Sequence, residues 1–82
     1  MLGPEGHIRR ALQLFELRRY RDCVTESGKA IEATPEEPEG YLLLSHGYAY
    51  QPGKTRLALE AAEKAISLAP ERSDLLAWYA AY

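Results

Sequence analysis

A chain of 82 residues with a formal net charge of −2 has room for one modest core and offers no general attraction to phosphate backbones. Nucleic acid is therefore not an expected partner. A single cysteine, Cys23, excludes an internal disulfide framework, and no apolar run is long enough to cross a bilayer. Pro4, Glu5 and Gly6 come too early, without an apolar block, for a secretion signal, so a soluble cytoplasmic protein without membrane insertion is the expectation.

Apolar residues recur at spacings of three and four rather than two, which predicts helices throughout. The first runs over 5–17 and ends at the charged turn Arg18-Arg19-Tyr20-Arg21. The second, over 20–33, stops before Thr34-Pro35-Glu36-Glu37-Pro38, where each proline disfavours helix at the residue before it. The third covers 38–50 and breaks at Gln51-Pro52-Gly53. The fourth covers 54–68 and breaks at Ala69-Pro70, and a fifth is expected over 72–82. The joining turns are short, so neighbours in sequence pack antiparallel.

The predicted helices differ in how many faces are apolar. The fourth has one stripe, Leu57, Ala58, Ala61, Ala62, Ala65 and Ile66, and the second has Cys23, Val24, Ser27, Ala30 and Ile31 inward with Asp22, Glu26 and Lys29 outward. In the third, Tyr41, Leu44, Ser45 and Tyr48 form one stripe while Leu42, Leu43, Ala49 and Tyr50 point elsewhere. A helix apolar nearly all round calls for cover on two sides.

The chain also repeats itself. Lys29-Ala30-Ile31 and Pro35-Glu36 return as Lys64-Ala65-Ile66 and Pro70-Glu71 at an offset of 35, and Pro4-Glu5-Gly6 returns as Pro38-Glu39-Gly40 at 34. Self-similarity at this period is the mark of stacked helical hairpins. The sequence resembles the tetratricopeptide repeat family in Tyr41, Leu44, Ser45, Tyr48, Ala58, Ala62, Ala65 and Pro70, with one extra residue around Pro52-Gly53. A weaker copy reads His7, Arg10, Ala11, Leu14, Cys23, Ser27, Ala30 and Pro35. The resemblance implies an all-α stack of antiparallel hairpins in one domain, 1–82. It divides into a repeat over 4–37, a second over 38–70 and a single terminal helix over 71–82. A sister family with a period of 35, the pentatricopeptide repeats, reads RNA, but the acidic balance and the alanine positions count against it here.

The resemblance further implies a concave groove lined by the first helix of each repeat, holding a peptide or a partner helix. Carried over by position, its lining is Ile8, Arg9, Leu12 and Phe15, then Leu42, Leu43, His46 and Tyr50, then Trp78. These include the surplus apolar residues of the third helix, and an exposed apolar patch of this kind marks a partner site. The same residues also suit plain packing between helices. A carboxylate clamp of the chaperone-binding type is not expected, because Ile8, Leu12, Leu42 and His46 occupy its positions.

No catalytic, metal or cofactor constellation stands out. His7 and His46 lack a ligand spacing, Cys23 occupies a small-residue position suited to a buried thiol, and Arg18, Arg19 and Arg21 suit either a solvated turn or an acidic partner. Gly28 and Gly47 fall inside helices, which suggests close helix contact or simple tolerance. The expectation is a non-enzymatic adaptor without cofactors that binds a protein or peptide. The alternatives are self-association through the apolar segment Leu75 to Tyr79, since arrays normally end in a polar cap, or a regulatory piece of a larger protein.

Overall fold

The computed structural model describes residues 4–74, with side-chain surroundings from Gly6 onward. Four helices fill this span: α1 (Pro4–Glu16), α2 (Tyr20–Ala33), α3 (Pro38–Ala49) and α4 (Thr55–Leu68). There is no strand among the described residues. The fold is all-α, built of antiparallel hairpins as the periodicity predicts. Four helices are described instead of five, because the predicted fifth helix lies outside the described residues from 75 on, and Trp78 with it. Helical backbone resumes at Ser73 and Asp74.

Turn chemistry explains where each helix stops. After α1, Arg18 takes a left-handed φ of 62°, and the N–H groups of Arg18 and Arg19 donate to the carbonyls of Phe15 and Leu14 at 2.9 and 2.8 Å. Those two bonds define a Schellman motif, whose left-handed position glycine fills at least cost. After α2, the Thr34 N–H donates to Ala30 and the Glu37 N–H to Thr34. After α4, Ala69 donates to Ala65 and Arg72 to Ala69. The two hairpins thus end in the same turn, displaced by the 35 residues of the sequence repeat. The connection over 50–54 is longer than that over 17–19 and turns through Gly53, at φ 76°.

Within each hairpin α1 packs on α2 and α3 on α4. Between hairpins α2 packs on α3, and α1 more lightly on α3. The α2–α3 seam is keyed by two notches. A Cβ on Gly40 would lie 2.9 Å from Ile31 Cγ1, and one on Gly47 2.8 Å from Val24 Cγ2 and 3.2 Å from the Tyr20 carbonyl oxygen. Each notch on α3 therefore receives a β-branched knob from α2, one helical heptad apart on both helices. The Cys23 thiol adds a bond to the Leu43 carbonyl at 3.6 Å, while the Ser27 hydroxyl donates to the Cys23 carbonyl at 2.8 Å. Burial pushes the thiol above its ordinary pKa, opposed in part by Ser27, so Cys23 is an un-ionised packing residue at neutral pH.

The core is small and alanine-rich. Ala11, Leu14, Cys23 and Leu43 form one cluster, with Ile8 and Phe15 against it. Ala65 and Ala69 centre another with Tyr41, Leu42 and Ile66. Ala58, Ala61, Ala62 and Ala65 make the buried face of α4, as its stripe predicts, but Leu57 at the edge of that stripe is exposed. Small residues bring the helix backbones close, and a single large side chain such as Leu43 then contributes about 2 kcal/mol on burial.

One polar residue departs from its expected place. Glu26, predicted to face outward, is buried, because α1 lies across that side of α2. His7 Nδ1 donates to Glu26 Oε2 at 2.9 Å, and Lys29 and Arg10 approach Oε1 at 3.2 and 3.5 Å. The His7 hydrogen bond, helped by Lys29 and Arg10, outweighs desolvation and holds the carboxyl below the usual range. At the far end, Arg72 clasps Glu39 at the start of α3 and grips Asp74 through two nitrogens. This ties the turn after α4 back to the second hairpin.

Candidate functional site

The first helices of the two hairpins, α1 and α3, touch each other directly. The predicted groove residues fall along this pair, at different depths. On α1, Arg9 is exposed, Ile8 and Phe15 are half-buried, and Leu12 is 44% exposed. On α3, Leu42 is half-buried against the Ala65–Ala69 cluster, Tyr50 just after the helix is 57% exposed, and Leu43 and His46 are buried, at 6% and 7%. Leu43 and His46 thus belong to the interior, and Leu43 joins the main core. The exposed members of the positional list are thus Arg9, Leu12 and Tyr50, with Ile8, Phe15 and Leu42 half-buried.

An aromatic cluster closes one end of this face. Phe15 meets His46 at 5.4 Å between ring centroids, Tyr50 edge-on at 5.5 Å and Tyr20 at 5.8 Å. Tyr20 and Tyr50 stack nearly parallel at 5.1 Å. Such pairs contribute about 0.5–1.5 kcal/mol each beyond the area they bury. Burial pushes the His46 imidazole below its ordinary pKa, so its ring packs uncharged against Phe15 at neutral pH.

Tyr20 was not among the predicted lining residues. It opens the second helix, whereas the positional argument drew only on first helices. No spacing rule brings it to Tyr50. The available signal was that aromatic residues flank both sides of the Leu17–Arg19 turn. Around Tyr20 and Tyr50 lies a shallow depression of about 480 Å³, edged by the arginines of that turn.

No group of three or more His, Cys, Asp or Glu side chains is placed to hold a metal among the described residues. No helix among them is long and apolar enough to cross a membrane. The face offers apolar and aromatic surface with a basic lip, a chemistry suited to contact. No protein-family model matches the chain, and no curated protein or solved structure does either.

Proposed function

We propose that this chain is a non-enzymatic interaction module of the tetratricopeptide-repeat kind, binding a peptide or partner helix along the face shared by α1 and α3. The observation that carries this reading is the direct packing of the two first helices with Leu12 and Tyr50 left exposed and Tyr50 edge-on to Phe15. Apolar side chains at that exposure gain from a partner that covers them, by about 25 cal/mol for each Å² removed from water. The rigid hairpins hold those side chains in place beforehand, which lowers the ordering cost of binding.

The test is selection of peptides from an unbiased library, followed by the double substitution Leu12→Glu with Tyr50→Glu. Leu12 and Tyr50 are both exposed, so the variant is expected to keep its helical circular dichroism, with a lower melting temperature from the lost Tyr50 ring contacts, while losing at least about tenfold in affinity for selected peptides. Selected peptides that bind wild type and variant equally would remove the α1–α3 face from consideration.

A further inference from the structure

The turn between α1 and α2 carries a feature that the apolar groove does not need. The depression beside the Tyr20–Tyr50 stack is edged by Arg18, Arg19 and Arg21, and Asp22 is the single acid lining it. Arg19 is already paired with Asp22 at 2.6 Å. The guanidinium groups of Arg18 and Arg21 bond to nothing among the described residues, and both residues are exposed. In a chain of net charge −2, this gathers three cations at one mouth. Arg18 is also an arginine at a left-handed backbone position, where glycine would be less strained. Local stability therefore does not account for its presence.

We propose that this mouth receives the acidic end of the same partner segment whose apolar part lies on α1 and α3, an assignment that rests on the peptide-binding reading above. Charge complementarity selects the occupant: two unpaired guanidinium groups match carboxylates, each able to take one in a two-pronged hydrogen bond. Continuity joins the two surfaces. Phe15 touches both Tyr20 and Tyr50, so the apolar face leads straight into the basic mouth. The partner is thus an amphipathic segment with an apolar stretch adjoining two or more glutamates or aspartates. The tyrosine stack would support its aliphatic stems and the arginines its charges.

The experiment measures fluorescence anisotropy of a labelled peptide with a leucine–alanine stretch followed by a run of glutamates, against its glutamine counterpart. At low salt the acidic peptide is expected to bind about tenfold more tightly, with the advantage fading as salt is raised. Arg18→Gly combined with Arg21→Gln is expected to erase that advantage. Arg18→Gly alone is expected to raise the melting temperature while weakening the acidic peptide, a combination that a purely structural arginine would not give. Arg56→Gln on α4 is the control and should leave the ratio unchanged. Equal affinity for the two peptides, equal loss from Arg56→Gln, or failure of the acidic peptide to bind would each overturn the proposal. Equal affinity of two peptides that both bind overturns the basic mouth alone, whereas failure of both peptides to bind also counts against the apolar face, whose separate test uses an unbiased library and the Leu12 and Tyr50 substitutions.

Discussion

Two helix-interior glycines give different expectations for the same substitution. An alanine at Gly28 meets no atom of the described residues within 4 Å, so its methyl group enters open space. Gly28→Ala then shows only the helix-propensity gain, about 0.5–1 kcal/mol. For a domain of this size that is a rise of roughly 2–8 °C in melting temperature. At Gly47 the methyl carbon would stand 2.8 Å from Val24 Cγ2, 3.2 Å from the Tyr20 carbonyl oxygen and 3.4 Å from Cys23 Sγ. The Tyr20 oxygen belongs to the backbone, and a helical valine has essentially one rotamer, so neither neighbour yields easily. Overpacking of this kind costs about 1–3 kcal/mol, and the same propensity gain of about 1 kcal/mol offsets part of it. Gly47→Ala is therefore expected to lie between neutral and net destabilising by about 2 kcal/mol, a fall of up to roughly 16 °C, and in no case to match the gain at Gly28. Thermal unfolding followed by far-ultraviolet circular dichroism reads both variants side by side. Equal stabilisation by the two substitutions would mean that α2 and α3 do not approach as closely as the notch geometry requires.

Other substitutions test separate parts of the account. Among the described residues the buried Ser45 hydroxyl has no hydrogen-bond partner, so Ser45→Ala should stabilise by about 1–2 kcal/mol in chemical denaturation, and a loss of stability would reveal an unrecognised bond. Acid should weaken the fold in two stages. The His46 pKa is depressed below 6.5 by burial, so its contribution is complete above that pH and declines as pH falls. The depressed Glu26 carboxyl behaves likewise below its ordinary value of 4.5. His46→Gln should remove the first stage of a melting-temperature profile against pH and Glu26→Gln the second, and an unchanged profile in either variant would refute the assignment. At neutral pH, Glu26→Gln should also cost about 1–2 kcal/mol, because His7, Arg10 and Lys29 lose the charge they surround.

The helices were legible because their ends are written in local chemistry. Pro38, Pro52-Gly53 and Pro70 mark breaks that any chain would make, and the observed boundaries fall within one residue of those expected. Faces were harder to read. The amphipathic stripe of α2 placed Glu26 outward, yet α1 covers that side, and the convergence of His7, Arg10 and Lys29 depends on two helices together. In α3 nearly every face is apolar, so its own sequence does not decide whether Leu43 or Leu44 goes inside. The neighbouring α1 and α2 decide it, and Leu43 is the buried one. The glycine notches follow the same logic. Gly47 reads as a cost within α3 until Val24 is seen filling the space. The groove positions came from resemblance alone, which gives register but not depth, and this is why Leu43 and His46 lie below the surface.

The most direct test of the central claim is an amide chemical-shift titration of the isotope-labelled chain with a selected peptide. The account predicts shifts running along Arg9, Leu12 and Phe15 on α1 and through Tyr50, with the outer face of α4 around Arg56, Glu60 and Glu63 unmoved. Shifts centred on that outer face of α4, with α1 silent, would contradict it.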